Sequence, residues 1–283
     1  MRIPEKFSQA ILSHVITASI VLESSLVLAV QGPPGSGKSF QVRECLRAQG
    51  IQPVIISGSS LSGKTEAASR AAFDKLEHDC FQLVADQKAG HVVAVIEDFD
   101  LSPAGRRGDD RHTVNSQLLV GHIMNLGDID GSFMLPTGFR APIIVTGNNF
   151  QLLHGPLTRA GRMNIFTWEP SREERLVMAE SVLERLGIDE DRDVLLRILD
   201  DHPHATIAEF AGAVNAAISD MLWKFVSTNG PLDLEKTRKH FQDGNRPSLR
   251  QIGEQLQTSL AGQRTLRDFV TPVLEGGGHG HAR

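Results

Sequence analysis

The octapeptide Gly32-Pro33-Pro34-Gly35-Ser36-Gly37-Lys38-Ser39 has the spacing of a phosphate-binding loop, two glycine-framed ends closed by a lysine and a hydroxyl. Glycines let successive backbone N–H groups turn inward on an anion, and a helix starting at the lysine adds its positive end. In that chemistry Lys38 reaches the β- and γ-phosphates of a nucleotide, and the Ser39 hydroxyl holds Mg²⁺. Phe40 follows directly and is taken with the loop as cofactor-binding. The loop is expected to be solvent-exposed when free, so that changing Lys38 costs little stability. About sixty residues on, an apolar run ends in Glu97-Asp98-Phe99-Asp100. Carboxylates at the tip of a buried strand next to a phosphate loop suit a metal ligand and a base for the attacking water. Glu97 is the expected metal ligand beside Ser39, and Asp98 the expected base; Asp100 stays open for either role. The bland alternative is a solvated strand end.

Two further groups carry weaker signals. Thr146-Gly147-Asn148-Asn149 closes another apolar run, and the Asn148 amide there can orient water or bond a γ-phosphate, although Gly-Asn is also ordinary turn chemistry. Arg159 and Arg162 stand three apart before a short strand. Surface salt bridges are the usual fate of arginine; the sharper reading is a finger donated to a neighbour's γ-phosphate.

These residues need elements to hold them. Apolar spacing predicts a helix over 4–23, and Leu26-Val27-Leu28-Ala29-Val30 reads as a strand buried on both faces. A helix follows to about Gln49, then Pro53-Val54-Ile55-Ile56 as a strand and a helix over 64–88. His91 to Ile96 and Pro142 to Thr146 complete the strand set, and strands alternating with helices make right-handed crossovers in a mostly parallel sheet. Past Trp168-Glu169-Pro170 only helical patterns remain, at 171–186, 190–200, 205–227 and 247–270, the first opened by a Ser171/Glu174 capping box. The expected organisation is an N-terminal helical segment 1–25, a nucleotide-binding α/β domain 26–169, a smaller helical lid with C-terminal helices 170–275, and a flexible tail 276–283.

Composition narrows the setting. The chain has 283 residues, 40% hydrophobic and 22% charged, enough for a substantial core. A formal net charge of −5 weighs against nucleic acid as a partner. Cys45 and Cys80 are the only cysteines, too few and too far apart for a disulfide framework or a zinc knuckle. No run approaches the ~20 apolar residues of a membrane span, and the first residues lack the apolar core of a signal peptide. A soluble, cytoplasmic protein without a membrane partner is expected.

In their order along the chain, the phosphate loop, acidic strand, polar strand end, arginine pair and helical lid resemble the AAA+ ATPases. Within that family the pattern is similar to the Rubisco activases over about residues 28–226. It is most specific in Gly37-Lys38-Ser39-Phe40-Gln41, Thr113-Val114-Asn115, Pro142-Ile143-Ile144 with Thr146-Gly147-Asn148, and Arg159 to Arg162 with Trp168. The resemblance implies a three-layer α/β domain on a central five-stranded, mostly parallel sheet. It also implies a homo-oligomeric ring, a hexamer, with ATP and Mg²⁺ bound between subunits and a protein client, Rubisco or a related assembly. Asn148 becomes the first sensor, and Arg159 and Arg162 become fingers acting in trans. Ser60-Leu61-Ser62-Gly63-Lys64-Thr65 and the run from Ala104 to Arg111 become pore loops that engage the client. Two features depart from the pattern: the carboxylates read Glu then Asp, and the stretch from Glu209 to Ala217 offers no lid sensor arginine. A small-molecule kinase on the same loop, or a nucleotide-dependent scaffold without hydrolysis, are the alternatives; the kinase leaves the arginine pair unexplained.

Overall fold

The computed structural model describes residues 2–61, 66–99, 133–150, 162–189 and 191–275. The chain divides into two compact units, one of Ile3–Glu169 and one of Pro170–Arg283 together with Met1–Arg2.

The first unit is a parallel sheet with helices packed on it. Helix α1 (Glu5–Ile20) leads into β1 (Val27–Gln31), then α2 (Lys38–Ala48), β2 (Gln52–Ser57), α3 (Glu66–Ala85), β3 (Val92–Glu97), β4 (Ile143–Gly147) and β5 (Met163–Thr167). All four pairings are parallel, and the strand order is β2-β3-β4-β1-β5. The parallel, helix-covered sheet is the architecture the alternating pattern predicts, and five strands is the number the family resemblance implies. Strands β1, β3 and β4 are buried almost end to end, because both faces lie under helices, and that is why they read as continuous apolar runs. β5 is an edge strand, mostly open to solvent, with Met163 its one buried residue, so its sequence carries a weaker signal. The core on one face gathers Leu26, Val27, Ala29, Phe73, Leu76, Val92, Ile96 and Val145.

Register decides where the chemistry falls. Gln31 at the end of β1 lies opposite Gly147 of β4 on one side and Thr167 of β5 on the other, and Glu97 of β3 lies opposite Ser57 of β2. Every strand therefore finishes at one edge of the sheet. The chain leaves β1 for β2 by crossing β4 and β3, so β1 sits where the strand order reverses, the crevice in which open α/β sheets bind ligands.

The second unit is helical: α4 (Arg172–Leu186), α5 (Arg192–Asp201), α6 (Ile207–Asn229), α7 (Leu234–Gln242) and α8 (Leu249–Glu275). Its core includes Leu176, Leu183, Leu195, Phe210, Val214, Ile252 and Leu256. The Ser171/Glu174 capping box forms in both directions, and Thr206 with Glu209 makes a second at α6. Helix α7 has no counterpart in the sequence reading. It is nine residues long, buries no side chain and is started by Asp233 accepting from the N–H groups of Glu235 and Lys236, so no apolar stripe announces it.

Candidate nucleotide site

The loop after β1 is shaped by two left-handed glycines, Gly35 at φ 75° and Gly37 at φ 82°. Gly37 is also the N-cap of α2, and no side chain caps that helix and no acidic residue stands in its first turn. The helix therefore begins with backbone donors and positive dipole directed at the loop, the arrangement that suits a phosphate. Contrary to the expectation of an open loop, its working side chains are covered. Ser36 is 5% exposed and Lys38 7%. The Lys38 ammonium donates to the carbonyls of Gly32 and Pro33, 2.8 Å each, and to Asn148 Oδ1 at 3.2 Å. The lysine thus caps its own loop and ties it to the tip of β4.

The same edge collects the acidic strand end. Glu97 is the last residue of β3, and its Oε1 is buried without an aligned hydrogen-bond partner, 3.4 Å from Arg43 Nε on α2. Asp98 is exposed and holds φ 53°, a left-handed conformation uncommon for residues other than glycine. Its N–H donates to Thr146 Oγ1 at 3.3 Å, and the Thr146 hydroxyl lies 2.9 Å from the Ser39 hydroxyl. One fully buried threonine therefore links the phosphate-loop serine, the acidic strand end and β4. Gly58 lets the chain after β2 pass this turn: a Cβ there would stand 2.4 Å from the Asp98 carbonyl oxygen.

Glu97, Asp98, Lys38, Ser39 and Asn148 are thus brought to one end of the sheet. Gly32, Pro33, Pro34, Gly35, Ser36 and Gly37 form the loop, and Phe40 lies in the first turn of α2. Arg162 stands just before β5, where its carbonyl accepts from the Ser25 hydroxyl at 2.9 Å. Arg159, Asp100, Thr113 to Asn115, the run 104–111 and the greater part of the 60–65 segment lie outside the described residues. Thr146, Gln31 and Trp168 carry more of the site than residue chemistry alone assigned them. Gln31 donates through Nε2 to Thr167 Oγ1 and accepts from the Phe150 N–H, bridging β5 to the segment after β4. A polar residue closing an apolar strand directly before Gly32 was its visible signal.

The residues fit a nucleotide and its metal. Ser36 Oγ is buried without a partner inside the loop, and Ser39 and Glu97 offer the hard oxygens that Mg²⁺ prefers. No group of three or more His, Cys, Asp or Glu side chains among the described residues could by itself hold a metal. A metal bound through one or two protein oxygens plus phosphates is the mode that matches.

A P-loop α/β unit with carboxylates and a polar amide at the neighbouring strand tips defines a nucleotide-binding ATPase class. The family model of the ATPases associated with various cellular activities (AAA) matches residues 28–171, and the chain belongs to that family. It is an AAA+ ATPase resembling Rubisco activase. It is 32% identical over 228 residues to the chloroplastic ribulose bisphosphate carboxylase/oxygenase activase of Phaseolus vulgaris, an alignment covering 77% of this chain and 50% of the relative. The activase 2 of Nicotiana tabacum is 33% identical over 72% of this chain and 47% of its own length. That of Zea mays is 30% identical over 77% and 51%. The chain spans about half the length of the relatives it matches.

The comparisons correct one expectation. The sequence predicts a cytoplasmic location, whereas the relatives are chloroplastic proteins. Two free buried thiols and the absence, among the described residues, of a helix able to cross a membrane are properties shared by proteins of any reducing aqueous compartment. Composition therefore cannot choose between such compartments.

Proposed function

We propose that this chain hydrolyses ATP, with Mg²⁺, between the subunits of a ring and uses the cycle to remodel a protein client. Rubisco or a related assembly is the proposed client, with release of a bound inhibitory sugar phosphate as the result, by analogy with the activases it resembles. The observation that carries the reading is the convergence of Lys38, Ser39, Glu97, Asp98 and Asn148 on the C-terminal edge of the sheet around β1. Lys38 exchanges its loop carbonyls for the β- and γ-phosphates, and the N–H groups at the start of α2 hold the phosphate chain. Ser39 and Glu97 would hold the metal, which would supply positive charge to the phosphoryl oxygens. Asp98 takes the proton of the attacking water, and Asn148 positions that water or the γ-phosphate. Arg159 and Arg162 are proposed to reach a neighbour's γ-phosphate. The ring loops at 60–65 and 104–111 are proposed to grip the client.

Purified protein tested for ATP turnover, with sedimentation in the presence and absence of nucleotide, checks the reading. Turnover with nucleotide-dependent assembly supports it. A monomer that binds ATP without releasing phosphate replaces it with the scaffold reading. Capture of bound proteins by an Asp98→Asn variant then identifies the client.

A further inference from the structure

Trp168 follows β5 and has no exposed surface. Its ring is wedged against Phe7 of α1, with centroids 4.9 Å apart in an edge-on arrangement, and against Phe166 at 6.2 Å. Residues of this kind usually fill a core and nothing more. Three contacts made by the same residue go to the phosphate loop and its root. The indole Nε1 donates to the carbonyl of Ser36 at 3.0 Å, inside the protein. The backbone N–H donates to the Gln31 carbonyl at 2.6 Å, extending the β1–β5 ladder by one residue to the first step of the loop. The carbonyl of Trp168 packs so closely on Gly32 that a Cβ there would lie 2.1 Å from its oxygen. The first and the fifth residue of the octapeptide are thus both fixed by one tryptophan.

The indole bond has a directional consequence. No peptide bond among the described residues is cis, so the Ser36 carbonyl and the Gly37 N–H lie in one plane and point in opposite directions. The indole holds that carbonyl toward the packed aromatic ring and the core. It thereby turns the Gly37 N–H the other way, away from the indole. The Ser36–Gly37 peptide turns about Ser36 ψ and Gly37 φ, and Gly37, at φ 82°, lacks the steric preference of other residues, so without an anchor that peptide has the freedom to flip.

We infer that Trp168 is a positioning residue for the nucleotide: its indole N–H orients the Ser36–Gly37 peptide so that the Gly37 N–H meets a phosphate. The inference rests on the nucleotide reading of the loop given above. It assigns Trp168 to ligand affinity, acting through the loop and not through contact with the reacting atoms.

The chain has two tryptophans, and Trp223 is 69% exposed on α6, so Trp223→Phe leaves position 168 as the only one. In that background, biosynthetic replacement of tryptophan by 3-benzothienylalanine keeps the ring shape and substitutes sulfur for the N–H. ADP affinity by calorimetry, ATP kinetics and the nucleotide-free melting temperature are then measured on both forms. Loss of one buried hydrogen bond to the loop should raise the ADP Kd and the ATP KM about three- to tenfold, with kcat within about twofold. Trp168→Phe should move the same quantities the same way and at least as far. A melting temperature that falls while Kd and KM stay within twofold overturns the inference and leaves Trp168 a core residue. A fall in kcat with KM unchanged also overturns it. If the parent with Trp168 intact binds no ADP, the nucleotide reading itself fails, a result distinguishable from unchanged affinity in the analogue.

Discussion

In the proposed mechanism Lys38 works twice, and the two roles separate in experiment. Its ammonium satisfies two loop carbonyls and Asn148 when no phosphate is present, so truncation removes both the ligand's partner and an internal clasp. Lys38→Ala should abolish nucleotide binding or turnover and also lower stability by about 1–3 kcal/mol, the cost of leaving buried carbonyls unpaired. Calorimetry with ATP and denaturant unfolding of the same sample check the two halves; turnover at the parent's rate would remove the loop from the mechanism. The carboxylates should divide differently. Asp98→Asn should slow hydrolysis by about a hundredfold or more while ATP stays bound, because a base acts in the transition state. Glu97→Gln should weaken Mg²⁺-dependent binding instead, measured by titrating Mg²⁺ at fixed nucleotide. The reverse pattern exchanges the roles, and no effect from either passes the task to Asp100. The loop and the acidic tip were readable because each packs its chemistry into a few consecutive residues. Thr146 was not, since its hydroxyl matters only once β4 is laid beside β1 and β3, bringing Ser39 and the Asp98 N–H to the same oxygen.

At the scale of elements, the helices that hold the sheet have their own pH dependence. His14 of α1 is 7% exposed, and its Nε2 has no hydrogen-bond partner. Burial, chiefly, lowers its pKa to about 4, opposed by backbone hydrogen bonding at Ile143 and Leu26 and assisted by the nearby charge of Arg140. The native state keeps this imidazole neutral, whereas the unfolded chain protonates it near its ordinary value of 6.5. Its contribution is therefore constant above pH 6.5 and declines as pH falls from 6.5 to 4, by up to about 3 kcal/mol. Urea unfolding at pH 7.5 and pH 5 should show the loss in the parent and a smaller one in His14→Gln; equal slopes would place the acid sensitivity elsewhere. At the other unit, Ser171→Ala should cost about 1 kcal/mol by opening the capping box at α4, read from the denaturation midpoint. The Ser171 box could be found in the sequence because the motif is local. The buried strands could be found too, each within about one residue, because two-sided burial leaves an unbroken apolar run. Helix α7 could not: capped by Asp233 and without a buried face, it owes its place to its ends. His14 carries no sequence signal for a related reason. Its burial depends on where α1 lies on the sheet, which its own polar character argues against.

For the whole molecule, the decisive question is whether one subunit completes another's site. Lys38, Ser39, Glu97, Asp98 and Asn148 meet within a single chain, so the proposed nucleotide and metal site can be assembled by one copy. Transition-state charge on the γ-phosphoryl group still calls for an added cation, and an arginine supplied there is worth ~10³–10⁵ in rate. If Arg159 supplies it across an interface, specific activity should rise with protein concentration and then level off. Defects should also complement. Arg159→Ala protein keeps a complete pocket but cannot assist its neighbour, and Lys38→Ala protein has a dead pocket but an intact finger. Neither should turn over ATP alone. Mixed, they form some interfaces in which a good pocket faces a good finger, so activity should return in proportion to those interfaces and peak near an equal ratio. Random mixing in a ring caps the recovery: at equal ratio only about one interface in four has the required pair, so about a quarter of parental activity is the ceiling if sites act independently. Stronger coupling around the ring lowers it. A mixture that co-sediments as mixed assemblies yet stays inactive would exclude Arg159 as the trans finger, and the same experiment with Arg162→Ala comes next. Activity per molecule that is flat from nanomolar to micromolar concentration, in a protein that sediments as a monomer, would remove the ring from the proposal altogether.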